Sequence, residues 1–166
     1  MPFGTDHLEA FKAMLTDPAV LRYTRVPEPV PDRFAESWAA RYEAGRKDGT
    51  RRGFAILGED ERFCGIAVAP SIDREEQTAE LGYVVAPEAR GRGVAAEALR
   101  QLSDWAFGEG LVRLYLLISE QNPASKKVAA RAGYRFEGVM RSVYVKPGVR
   151  EDTEVWARLS SDRLSR

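Results

Sequence analysis

The stretch TAELGYVVAPEARGRGVAAEALRQLSDWAFGEG, residues 78–110, runs from an apolar strand through a glycine-rich turn into an amphipathic helix. Residues 80–85 are rich in β-branched and aromatic side chains, and Pro87 closes the strand because it has no N–H to give to a ladder. After Arg90-Gly91-Arg92-Gly93, the apolar residues Ala95, Ala98, Leu99, Leu102, Trp105 and Ala106 recur at helical spacing, and Gly108 and Gly110 mark the stop. Glycines at a helix start admit φ values that other residues avoid and let a ligand approach the backbone closely. The first-turn N–H groups then sit at the positive end of the helix macrodipole, a field worth about 0.3–1 kcal/mol per nearby anion. Arg90 and Arg92 add fixed positive charge. The stretch reads as a cradle for a phosphate or pyrophosphate; the plain alternative is a solvated turn with arginines for solubility.

Working outward, residues 112–118 (VRLYLLI) are apolar at almost every position, as in a strand covered on both faces. Strand, helix and strand form a βαβ unit with a right-handed crossover to a parallel neighbour. Upstream, residues 52–57 and 63–69 read as an antiparallel hairpin around a polar turn, and the acidic loop 73–77 leads into the central strand. If that loop faced the substrate it would favour a cationic one. Asp6 reads as the cap of a first helix with Leu8, Phe11, Met14 and Leu15 on one face, ending near Asp17-Pro18. Asp32 reads as the cap of a second, carrying Phe34, Trp38 and Tyr42 and ending at Gly45 or Gly49. Between them Pro27, Pro29 and Pro31 stiffen a connector, either a linker or the lip of a cleft.

Downstream, Asn122-Pro123 opens a short helix stopped by Gly133. Residues 134–145 and 151–159 close the chain as a hairpin around Lys146-Pro147-Gly148, whose Pro-Gly suits a type II turn. The expected architecture is α+β: helices on a mixed, mostly antiparallel sheet with one parallel βαβ crossover.

A chain of 166 residues fits one domain. With 25 Lys+Arg against 25 Asp+Glu the net charge is +0, which gives no reason to expect nucleic acid or an anionic membrane as partner. The single cysteine, Cys64, rules out an internal disulfide and suits a reducing compartment; with no secretory leader and no apolar run near about 18 residues, the expectation is a cytoplasmic protein. Cys64 has no histidine near it in sequence and reads as a small strand residue. His7 is the only histidine, so no metal is expected.

Two spacings narrow the chemistry. Arg90, Gly93 and Ala95 fall in the order Arg, two residues, Gly, one residue, Ala; Asn122 and Ser125 precede an apolar helix with Val128 that ends in Gly133-Tyr134. In these motifs the chain resembles the GNAT superfamily of acetyl-CoA-dependent N-acetyltransferases, and within it the ribosomal-protein N-terminal acetyltransferase branch named RimJ and RimL. Phe136-Glu137-Gly138, the closing hairpin and the opening segment resemble that branch as well, so the resemblance covers nearly the whole chain and implies a single domain over residues 1–166. Members carry a strand before the first helix; here only Met1 to Thr5 precede it, so the first strand is short or missing.

The resemblance implies the acyl-CoA N-acyltransferase fold, with the pantetheine arm lying where strands 80–85 and 112–118 splay apart. It implies that backbone groups of Val84 and Val85 pair with the pantetheine amides, as an added strand pairs with an open edge. Arg90 and the N–H groups of Gly91, Arg92, Gly93, Val94 and Ala95 would hold the pyrophosphate, Asn122 would reach the pantetheine arm, and Lys126 or Lys127 the 3′-phosphate. The implied reaction is direct acetyl transfer to a primary amine, a peptide N-terminus or a small molecule. Glu80 is the candidate base or amine-orienting group, and Ser125 the candidate hydroxyl beside the leaving thiolate; where many relatives carry a tyrosine for that purpose this chain has Ala129. Tyr83 and Tyr134 are further hydroxyls, more readily explained by packing. Two rival classes stand beside the enzyme. One is a sensor that binds acyl-CoA without turnover. The other is an NAD(P)-binding module, because Gly91, Gly93 and Ala96 also satisfy G-x-G-x-x-A, although the turn is long and only one βαβ unit is present. An edge strand without its partner could also pair with a second copy of the chain.

Overall fold

The computed structural model describes residues 1–162; the last four residues of the expected domain lie outside the described range. A 3-10 turn, Thr5–His7, leads into α1 (Leu8–Met14), α2 (Pro18–Tyr23) and α3 (Phe34–Asp48). Then follow β1 (Arg52–Leu57), β2 (Phe63–Asp73), β3 (Thr78–Val85), α4 (Val94–Gly108), β4 (Arg113–Ser119), α5 (Pro123–Arg131), β5 (Arg135–Lys146) and β6 (Val149–Leu159). Among the described residues the strands form one six-stranded sheet in the order β1-β2-β3-β4-β6-β5, in which only β3 and β4 run parallel.

Side-chain period divides the molecule into two cores. Leu99, Leu102 and Ala106 of α4 and Ala129 of α5 pack on Leu81, Leu114, Leu116 and Ile118 from alternate positions of β3 and β4. On the other face Phe11 and Met14 of α1 and Trp38 and Tyr42 of α3 pack against Ile66 of β2. The first edge strand is short rather than missing: Phe3 N–H donates to Gly53 O at 3.0 Å and Ala55 N–H to Met1 O at 2.9 Å along the outside of β1.

Several local expectations are corrected. Asp17-Pro18 does not merely end a helix but starts α2, with the Asp17 carboxylate accepting from Val20 N–H at 2.9 Å and Pro18 at the first helical position. Asp6 caps nothing, because the chain turns in at Gly4, whose N–H is bonded to His7 Nδ1 at 3.0 Å. Asp32 is one residue too early to cap α3, which begins after a left-handed Arg33 at φ 59°. β2 continues to Asp73 through a bulge between Val68 and Ser71, where Pro70 has no N–H to pair.

The parallel pair sets the functional geometry. β3 and β4 face each other only at Thr78/Arg113, Ala79/Leu114 and Glu80/Tyr115; beyond that point they diverge, β3 held by β2 and β4 held by β6. The result is a V-shaped gap with its crotch at Glu80 and Tyr115.

Candidate active site

The glycine turn and the start of α4 follow directly from the open end of β3. Gly91 and Gly93 sit at φ +77° and +80°, and among the described residues a Cβ at either would meet nothing within 4 Å. Glycine is therefore required by conformation, not by room. α4 starts with no side-chain cap, so its first N–H groups are offered to an anion, and Arg92 is exposed beside them. Arg90 is placed differently from the expectation that it would hold a phosphate. Its Nη2 lies 2.7 Å from Asp17 Oδ1, and its Nε donates to Val85 O at 3.1 Å. It fastens the turn to α2 and β3, and in return the guanidinium holds the Asp17 carboxyl below the usual aspartate range.

Backbone alternation decides which groups of β3 face the gap. Val112 N–H donates to Gln77 O at 2.8 Å on the β4 side, and Ala86 N–H to Cys64 O at 2.8 Å on the β2 side. Odd-numbered residues of β3 thus direct N–H and C=O toward β4, and even-numbered ones toward β2. The expectation for Val84 is corrected: its backbone groups serve β2, and those of Tyr83 and Val85 border the gap, the Val85 carbonyl already accepting from Arg90.

Across the gap stands the first turn of α5. Asn122 Oδ1 accepts from Ser125 N–H at 3.2 Å, and Asn122 Nδ2 donates to Ser125 Oγ at 3.1 Å. The Tyr83 hydroxyl makes a long contact of 3.5 Å with Ser125 O, and burial pushes that hydroxyl up to about 12. Asn122, Ser125 and Tyr83 are thereby brought together. Ser125 Oγ accepts from Asn122 and keeps its own proton to give. Ala129 is 0% exposed and serves packing. Tyr134 is spent in the core, bonded to Ser103 at 2.8 Å. Lys126 is paired with Glu154 at 2.7 Å, which leaves Lys127 as the exposed lysine of the pair.

Glu80 lies on the other face of the sheet, at the crotch. Its carboxylate is 15% exposed and 3.1 Å from Arg25 Nη2. At the far end of the gap Ser119 Oγ donates to Glu151 Oε2 at 2.9 Å, and the other Glu151 oxygen is paired with Arg22. Neither Arg25 nor this second cluster was visible in the sequence, because its members come from widely separated segments. The acidic loop is placed away from the site: it joins β2 to β3 at the closed end of the V, where Arg74 pairs with Glu109 at 3.0 Å, so it says nothing about the substrate's charge. Cys64 is half-buried, with Sγ donating to Arg62 O at 3.5 Å. A groove of about 1140 Å³ lies between α4 and the β1–β2 hairpin, floored by Phe54, Ile56, Leu102 and Trp105, beside the glycine turn but outside the gap.

A family model described as acetyltransferase (GNAT) domain matches residues 1–135. The probable N-acetyltransferase YjcK of Bacillus subtilis (strain 168) is 34% identical over 109 residues, which are 64% of this chain and 60% of YjcK. The match thus spans about 60% of that relative's length. Among solved structures, RimL, a ribosomal L7/L12 alpha-N-protein acetyltransferase in complex with coenzyme A, superposes with a TM-score of 0.88 at 19% identity, covering 95% of this chain and 91% of RimL. The spermidine N-acetyltransferase of Vibrio cholerae in complex with CoA and spermine gives a TM-score of 0.85 at 20% identity, covering 97% and 94%. A sheet split at its one parallel pair, a glycine turn at the mouth of that split and a family match over most of the chain agree: this protein belongs to the GNAT acetyltransferase domain family.

Proposed function

We propose that the protein is an N-acetyltransferase that passes acetyl from acetyl-CoA directly to a primary amine, either a peptide N-terminus or a small molecule. The observation that carries this reading is the V-shaped gap, bordered by a stretch of β3 that β4 leaves unpaired beyond Glu80 and ending at a glycine turn without a side-chain cap. A diphosphate suits the turn, whose amides are exposed and whose glycines leave the approach open. Acetyl-CoA supplies a thioester; the chain's own residues position it. The turn amides and Arg92 bind the diphosphate, Tyr83 and Val85 meet the pantetheine arm, and Asn122 fixes the rotamer of Ser125. The amine nitrogen bonds to the acetyl carbon as the C–S bond breaks. Ser125 gives its proton to the leaving sulfur and regains one from solvent, while the ammonium proton passes to Glu80 or water. Holding both partners in place supplies much of the rate. An α-amino group, with an ordinary pKa of about 7.7–8.0, is partly neutral at physiological pH and asks less of Glu80 than a lysine amine at about 10.4.

The experiment is thiol release from acetyl-CoA with and without a panel of peptides and small amines, beside direct titration of acetyl-CoA and NADH. Amine-dependent release is expected. Acetyl-CoA binding with no release from any amine would make the protein a sensor, a reading that the missing hydroxyl at Ala129 favours. Binding of NADH alone would overturn both. Among the described residues no helix is long and apolar enough to cross a membrane, and we place the reaction in the cytoplasm on the unpaired Cys64. If a second copy associates, the edge open to it is β5, where Val139, Val143 and Val145 are exposed.

A further inference from the structure

Residues 22–25 cross the gap on the sheet face opposite α5. At one end Arg22 pairs with Glu151 beside Ser119, the last residue of β4; at the other Arg25 reaches Glu80 at the crotch. Tyr23 OH donates to Gln121 O at 3.0 Å and Tyr144 OH to Thr24 O at 3.2 Å, so the segment is pinned to the β4-β6-β5 arm, and the Arg25–Glu80 pair ties its end to β3. Glu80 and Glu151 are thus already matched by arginine, and at 15% and 16% exposure neither presents a bare charge; Glu28, farther along the chain and 39% exposed, is paired with Lys146. The cationic side is not used up. Arg25 is 67% exposed, and Arg22 Nη1 is buried with no hydrogen-bond partner among the described residues. Arg41 and Arg51 add positive charge near the Tyr42 hydroxyl, where with Arg25 they oppose Glu80.

Resting on the N-acetyltransferase reading, we infer that the amine acceptor carries an anionic group close to its amine, and that Arg25, supported by Arg22, recognises that group. An ammonium that pairs with Glu80 competes with Arg25 for its charge. If the same molecule brings a carboxylate, the exchange leaves two ion pairs where one stood, Glu80 with the ammonium and Arg25 with the carboxylate, and no charge is stranded. A polyamine brings only further cations beside an unpaired arginine, which repels it. Arg25 is a specificity residue in this scheme and does not touch the reacting atoms.

The test uses three acceptors: the amidated tripeptides Ala-Asp-Ala and Ala-Lys-Ala, and spermidine. Thiol release and equilibrium binding to the CoA-loaded protein are both measured. The wild type should favour the Asp peptide over the Lys peptide by about tenfold, chiefly in KM, the size of one charge-assisted contact. Arg25→Ala should bring that ratio close to one, Arg25→Lys should restore most of it, and Arg25→Glu should reverse it. An unchanged ratio in Arg25→Ala, a wild-type preference for the Lys peptide or spermidine, or no binding of either peptide would overturn the inference. Arg25-dependent binding of the Asp peptide without thiol release would uphold it and overturn the transferase reading instead.

Discussion

Ser125 is held by two bonds from one neighbour, Asn122, and this makes its role separable from its fold. The amide bond to Asn122 Oδ1 survives replacement of the hydroxyl, so Ser125→Ala keeps the helix cap and loses only Oγ. The expected outcome is a fall in kcat of about 10²-fold, the lower end for a lost proton donor, with acetyl-CoA affinity changed by less than about twofold. Stopped thiol-release kinetics and a titration of acetyl-CoA check the two halves; wild-type kcat in the variant would leave Ser125 a capping partner only. This pair was legible because its members lie three residues apart and cap chemistry is local. The pairing of Glu80 with Arg25 was not, since nothing near Glu80 in the chain announces a guanidinium from the end of α2.

At the scale of elements, the glycine turn and the N-cap of α2 are joined through Arg90, and each can be tested apart. Gly93 is the residue before α4, at φ +80°, a conformation that Asp tolerates better than most side chains. Gly93→Asp should therefore fold with some strain and place a carboxylate against the N–H groups meant for the diphosphate. Acetyl-CoA affinity should drop by at least about a hundredfold, with a melting temperature lowered only by the roughly 1–2 kcal/mol that a non-glycine left-handed residue costs, measured by calorimetric titration and thermal unfolding; unchanged affinity in the folded variant would remove the turn from the binding site. Asp17→Asn instead keeps an oxygen to accept from Val20 and discards the charge that holds Arg90. With Arg90 partly exposed, the loss should stay below about 1 kcal/mol. The sign with pH is definite: the folded carboxyl is held below its unfolded value, so its contribution is present above the ordinary aspartate range and disappears as pH falls through the folded value. Chemical unfolding below about pH 4 should accordingly show a flatter acid limb in Asp17→Asn than in wild type. α4 and its turn could be read from sequence because both signals, helical period and paired glycines, are local. The choice between Val84 and its neighbours could not, because the side of β3 that each residue serves is fixed by pairing with β2, across a bulge at Pro70 that no periodicity reveals.

For the molecule as a whole, the gap exists because each arm of the V has another strand to hold it, so its geometry depends on both cores staying packed. The cores share one titratable feature. Tyr42 on the α3 face, and Tyr83 and Tyr134 on the α4 face, are buried enough that each hydroxyl is pushed up to about 12. Unfolded, these groups ionise near pH 10, whereas folded they stay protonated, so the folded state binds more protons between those values. Stability must therefore fall as pH rises from about 10 toward 12, and lie level in the neutral range, where neither these tyrosines nor the arginine-paired carboxylates change charge. Tyr83→Phe removes one of the three while giving up only a long contact to Ser125 O, so the alkaline limb of a urea-midpoint profile should become shallower with little change near pH 7. An alkaline limb of unchanged slope would mean that the Tyr83 hydroxyl reaches solvent in the folded protein, and the wall of the gap beside Ser125 would then be open where the present geometry has it closed.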